Sequence, residues 1–150
     1  MNDFSLDWLS QHWPVLLLTS IYLAFCLGVG WYFKEKATSG VESHRVMSAP
    51  IPTVHKLLEQ TGMSMEDVDV LEHNEAFAAA SCAIQMSLSA SESRFNPHGG
   101  AVAIGHPLGA TGTRCLMTLV NALERTGGHR GIVTICLGGG NAVAMMVERD

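Results

Sequence analysis

Glycine governs the last third of this chain. The run His98-Gly-Gly-Ala-Val-Ala-Ile-Gly105-His106-Pro107-Leu-Gly-Ala-Thr-Gly112 is followed, after a patterned stretch, by Cys136-Leu-Gly138-Gly-Gly140. Glycine has no Cβ, so it admits backbone angles closed to other residues and lets backbone amides approach a ligand. A chain punctuated in this way can build a site from loops on a frame of regular elements. The frame shows between the glycines. Cys115, Leu116, Leu119, Val120 and Leu123 form an apolar stripe at helical spacing from Gly112 to about Arg125, and Gly127-Gly128 stand where the helix should end. Gly131–Leu137 and Asn141–Arg149 read as strands, joined as a hairpin by Gly138–Gly140.

Upstream, Val54, Leu57 and Leu58 share one face of a helix over Thr53–Gln60, with Gly62 as its stop. Ser64-Met-Glu-Asp67 can cap a short turn before a brief strand at Val68–Leu71. Glu75–Met86 is helical in pattern and rich in alanine and serine, which suits tight packing. Helices alternate with strands and a hairpin closes the chain, so the expected fold class is α/β with a mixed sheet and packed helices.

The first forty residues have a different character. Trp13–Phe33 is a run of 21 residues without a charge, about the length that crosses a 30 Å hydrocarbon core as a helix. Trp13 stands at one end and Trp31-Tyr32 at the other, as interfacial aromatics do, and Lys34 and Lys36 follow. The expectation is an N-terminal segment, residues 1–36, with a transmembrane helix at about 13–33. The basic flank puts the remainder on the cytoplasmic side. Residues 37–52, small, polar and proline-bearing, read as a linker, and 53–150 as the globular domain.

Composition removes several classes of function. The net charge is −5, with 9 Lys+Arg against 14 Asp+Glu, and no basic stripe, so nucleic acid is not an expected partner. Cys26, Cys82, Cys115 and Cys136 show no C-x-x-C spacing, so neither a disulfide framework nor a metal site is expected. A reducing compartment fits such cysteines. Cys82 and Cys115 lie on helical faces and read as packing residues.

Two residues stand out chemically. His106 precedes a proline, which biases it to extended angles and presents it at the mouth of the following helix. That helix terminus favours developing negative charge, and a neutral imidazole there can take a proton or donate to an oxyanion. Cys136 ends a strand and precedes three glycines whose amides can surround its sulfur; a thiolate so placed can act as a base. Asn74 follows a strand and opens a helix, where asparagine is ordinarily an N-cap. His73 and His98 border these clusters and carry no assigned role.

From about Arg45 to Arg149 the chain resembles the C-terminal domain of thiolases, the acyl-CoA acetyltransferases. The resemblance rests on Met47-Ser-Ala-Pro-Ile-Pro52, Asn74-Glu-Ala-Phe77, Asn96 through Gly112 and Cys136 through Gly140, in the family's order. It implies that His106 activates an acyl-carrying cysteine and helps bind the thioester oxygen. Cys136 is then the acid/base for the α-proton of acetyl-CoA, and Asn74 holds a water that completes one oxyanion hole with His106. The N–H of Gly138 contributes to a second hole. It implies acyl-CoA and coenzyme A as substrates and no tightly bound cofactor. The uncharged N-terminal segment resembles the opening helix of sodium/solute symporters.

No cysteine of this sequence sits in the family's Asn-x-x-Cys-x-Ser-Gly nucleophile setting. The family's N-terminal domain, and even the first strand of the C-terminal one, have no counterpart, which predicts an open sheet edge and an exposed apolar face. The expected function is therefore that of a thiolase half, inactive until an N-terminal half supplies the nucleophile, with a homo-oligomer as the other expected assembly. Two alternatives are a non-catalytic, membrane-tethered remnant that binds acyl-CoA or a protein, and an artefactual fusion of two genes. In the last case the protein is cytoplasmic.

Overall fold

The computed structural model describes Trp13, Pro14, Leu17, Ser20, Ile21, Ala24 and residues 38–149. The chain divides into two units, 1–35 and 36–150. In the first, the six described residues are helical and exposed. Most of the expected 13–33 span lies outside the described residues, and among those described no helix is long and apolar enough to cross a membrane.

The second unit holds four strands and four α-helices. In chain order they are β1 (Thr38–Gly40), α1 (Pro50–Thr61), β2 (Val70–His73), α2 (Ala78–Ser87), α3 (Ala101–Ile104), α4 (Thr111–Thr126), β3 (Arg130–Leu137) and β4 (Asn141–Glu148). The sheet order is β1-β4-β3-β2. β2 and β3 run parallel with Val70 opposite Gly131 and His73 opposite Thr134. The β3–β4 and β1–β4 pairs are antiparallel, so the sheet is mixed as expected.

Helices cover both faces. Val54, Leu57 and Leu58 of α1 and Ile84 and Leu88 at α2 pack with Leu71, Phe95, Ile132 and Ala144 on one side. Cys115, Leu119, Ala122 and Leu123 of α4 pack with Val70 and Val133 on the other. Each fully buried leucine here contributes about 2 kcal/mol of burial free energy. The α4 stripe differs from expectation at one place: Val120 is exposed and Ala122 is buried, because the helix turns its Leu119 and Leu123 rows squarely onto the sheet. Gly131 permits that approach, since a Cβ there would lie 2.5 Å from Leu119 Cδ1.

The stop signals act as read. Gly62 and Gly127 take left-handed caps after α1 and α4. Ser64 and Asp67 form a capping box on the 3-10 turn Met65–Asp67, and the strand follows two residues later than the sequence suggested.

Of the stretch expected as a linker, 37–52, the described residues 38–52 are instead part of the fold. It carries β1, a 3-10 helix over Ser43–Ser48 and the start of α1. β1 pairs with β4 at Thr38–Val143, Ser39–Ala142 and Gly40–Asn141, so the sheet edge expected to be open is covered along that part. Ser39 Oγ meets Thr53 Oγ1 at 2.5 Å, tying β1 to α1. A three-residue strand has too few positions to show alternation, which is why its sequence read as irregular. At the opposite edge Leu71 bridges Phe95. Leu71 N–H donates to Arg94 O and Leu71 O accepts from Asn96 N–H, at 2.8 and 2.9 Å.

Candidate active site

The parallel β2–β3 register brings the carboxyl ends of two strands together, the usual place for a site in an α/β sheet. Asn74 follows β2 directly and Cys136 lies near the end of β3. Asn74 Oδ1 accepts the Cys136 N–H at 3.1 Å, and its Nδ2 and Oδ1 each lie 3.5 Å from Cys136 Sγ. Asn74 is buried and Cys136 half-buried. The side chain of Asn74 therefore bonds Cys136 and caps no helix. α2 begins only at Ala78, and its N-cap residue is Phe77, with no side-chain cap bond.

α4 carries the histidine loop to the same end. A 16-residue helix is about 24 Å long, and an 8-residue strand about 26 Å. Joined by a tight turn at Gly127, the two lie antiparallel with the start of α4 beside the end of β3. A Cβ on Gly112 would stand 3.8 Å from Ile135 Cδ1, next to Cys136. His106 is exposed, five residues before α4. Its Nδ1 lies 2.7 Å from Thr111 Oγ1, and Thr111 O–H donates to Pro107 O at 3.1 Å. Among the described residues no hydrogen bond joins His106 to Asn74 or Cys136. Gly138 is exposed and opens the 3-10 turn Gly138–Gly140 beyond β3, and its carbonyl accepts from Asn141 Nδ2 at 3.4 Å.

Two residues that sequence reasoning gave no role hold these loops. Glu75 has φ 54° and accepts the Val102 N–H at 3.0 Å and Asn96 Nδ2 at 2.7 Å. Asn96 also bonds both backbone groups of His73, its Oδ1 taking the N–H at 2.6 Å and its Nδ2 donating to the carbonyl at 3.1 Å. Gly100 must be glycine for this arrangement, because a Cβ there would fall 2.4 Å from Glu75 Cδ. Both residues lay inside the quoted motifs, but nothing local marks a carboxylate that bonds an amide 27 residues away.

Beneath the site the polar groups are buried. Glu72 is fully buried with Arg114 Nη1 3.7 Å from its carboxylate. Desolvation pushes its carboxyl up to about 7, against the pull of Arg114. His73 is buried too, and desolvation lowers it to about 4, so it is neutral at ordinary pH. Its Nδ1 lies 3.3 Å from Thr134 O while Nε2 has no partner. His98 is exposed.

Of the described cysteines, Cys115 is buried, as a packing residue should be, and burial raises its thiol to about 11. Cys82, expected to pack, is exposed on α2. That helix turns Ser81, Ile84 and Leu88 to the sheet and leaves Cys82 on its outer side.

A sequence profile described as thiolase, C-terminal domain, matches residues 29–149. The match starts within the stretch compared above with a symporter helix and runs through the expected linker, and the comparisons lend the symporter resemblance no support. The cytosolic acetyl-CoA acetyltransferase of Rattus norvegicus is 50% identical over 111 residues, covering 74% of this chain and 28% of that protein. The beta-ketoadipyl-CoA thiolase of Pseudomonas knackmussii is 47% identical over 115 residues, covering 75% of this chain and 29% of that one. Among solved structures, the acetyl-CoA acetyltransferase of Bacillus anthracis superposes with a TM-score of 0.72 at 39% identity, over 75% of this chain and 28% of that chain. This chain thus spans less than a third of the length of these relatives. With the fold, the motif order and the profile in agreement, it belongs to the thiolase C-terminal-domain family.

Proposed function

We propose that the chain supplies the C-terminal catalytic groups of a thiolase-type acyl-CoA acyltransferase. The observation that carries this reading is the Asn74–Cys136 contact at the carboxyl ends of β2 and β3, with the start of α4, just after the His106 loop, against Ile135 of β3. Cys136 acts as the acid/base for the α-proton of an acyl-CoA. His106 activates the nucleophilic cysteine and, with a water held by Asn74, binds the thioester oxygen. The Gly138 N–H serves a second oxyanion site. The substrates are coenzyme A and acyl-CoA, with no tightly bound cofactor. The acyl-carrying cysteine comes from a domain that this sequence does not span.

Groups that act as a unit lose most of their effect when one is missing. The chain alone is therefore expected to give no measurable thiolysis of acetoacetyl-CoA. Mixing it with a separately produced N-terminal half of an intact thiolase is expected to restore cleavage, and His106→Ala or Cys136→Ala to abolish it. A rate for the chain alone within about tenfold of an intact thiolase would overturn the dependence on a partner. Restored activity indifferent to both substitutions would overturn the residue roles. Phe77, Met86, Val102, Ile104, Leu108 and Met117 are large, apolar and exposed, which favours a second, protein-binding reading. Coenzyme A affinity that survives both substitutions, without restored cleavage, is the outcome that reading expects.

A further inference from the structure

We propose that Thr111 is a positioning residue that fixes His106 as the Nδ1–H tautomer and so leaves Nε2 as the ring's proton acceptor. This rests on the reading of His106 given above. Thr111 is the first residue of α4 and is buried, so water does not compete for its hydroxyl. The hydroxyl faces two acceptors-in-waiting, His106 Nδ1 at 2.7 Å and Pro107 O at 3.1 Å, but it has one proton to give.

The two assignments are not equivalent. If the proton goes to Nδ1, the Pro107 carbonyl and the hydroxyl oxygen face each other at 3.1 Å with no hydrogen between them. If it goes to Pro107 O, the hydroxyl lone pair is free to accept Nδ1–H, and both contacts become hydrogen bonds. Only the second arrangement satisfies both contacts, and it places the ring proton on Nδ1. Ala110 N–H also donates to Pro107 O at 2.7 Å, so this carbonyl is the acceptor around which the turn into α4 is built.

His73 shows what the same tautomer means in a closed setting. The carbonyl of Thr134 at its Nδ1 can only accept, so His73 carries Nδ1–H as well. Its Nε2 is buried without a partner and has no outside proton to take. His106 differs in being exposed, so its Nε2 lone pair is open to a group brought from outside the chain.

The test is nitrogen-15 spectroscopy of the ring in the whole chain, read above the histidine titration, for wild type, Thr111→Val and Thr111→Ser. Wild type and Thr111→Ser are expected to show His106 protonated at Nδ1. Thr111→Val keeps the shape and removes the hydroxyl, so the ring reverts toward the Nε2–H form that free histidine prefers. The tautomer ratio is expected to move roughly fivefold or more, the factor that a hydrogen bond of about 1 kcal/mol carries. Wild-type His106 found as Nε2–H overturns the proposal even if Thr111→Val fails to fold. A folded Thr111→Val variant with an unchanged ratio overturns it as well. The His73 resonances, expected unchanged, report that a variant is folded. None of these readings requires catalysis, so failure of the complementation assay with an Nδ1–H ring would count against the proposed function and not against Thr111.

Discussion

Glu72 and His73 are neighbours in β2 whose burial pulls stability in opposite directions with pH. The Glu72 carboxyl is raised from 4.5 to about 7 in the folded chain, with Arg114 opposing and Glu75 reinforcing the shift. Its contribution is complete below 4.5 and is lost as pH rises through 7. His73 is lowered from 6.5 to about 4, so its contribution is complete above 6.5 and is lost as pH falls through 4. Glu72→Gln removes one of these and leaves the other. Chemical denaturation at pH 4.5 and pH 8 should show the wild type losing on the order of 3 kcal/mol, relative to the variant, on going to the higher pH. The comparison is of slopes, so an offset that the substitution adds equally at both pH values drops out. Parallel pH dependences for the two proteins would show that Glu72 does not hold its proton in the fold.

At the scale of elements, the seam between α4 and β3 places the histidine loop, and Gly131 is its tightest point. Gly131→Ala would drive a methyl group into Leu119, which is fully buried and has Cγ within 2.9 Å of the new atom. Overpacking of this kind costs about 1–3 kcal/mol, measurable as a fall in the denaturation midpoint. A variant as stable as wild type would mean that α4 can slide on the sheet. α1 and α4 were legible in the sequence because each has a helical stripe and a glycine to end it, and β3 and β4 because runs rich in valine, isoleucine and methionine flank the Gly138–Gly140 turn. β1 was not, having three residues and no period. The Asn74–Cys136 contact was not legible, since the two residues lie 62 apart and the local signal at Asn74 is that of a helix cap. Glu75 and Asn96 escaped for the same reason. Their bonds span 27 and 23 residues, and the loops they fix have no regular pattern of their own.

At the scale of the molecule, residues 38–149 form a three-layer α/β unit with the Asn74–Cys136 contact at the carboxyl ends of its parallel strands, and the chain spans under a third of its relatives' length. Asn96 has a meaning at this scale that differs from its place in the site. Strands with free outward N–H and C=O groups recruit strands from other molecules. On β2 the outward groups of Leu71 are taken by Arg94 and Asn96 backbone, and those of His73 by the Asn96 side chain, which copies the bonds of one more strand residue. One amide thus acts as a plug against intermolecular growth. Asn96→Leu leaves Asn74, His106 and Cys136 unchanged in sequence yet should produce faster, concentration-dependent aggregation, followed by light scattering at rising protein concentration. An Asn96→Leu protein that scatters no more than wild type would show that β2 is closed without it. With Asn96 in place, neither Leu71 nor His73 offers a free outward pair of groups to a strand of another molecule, so one side chain that fixes a loop also bears on how the protein behaves at high concentration.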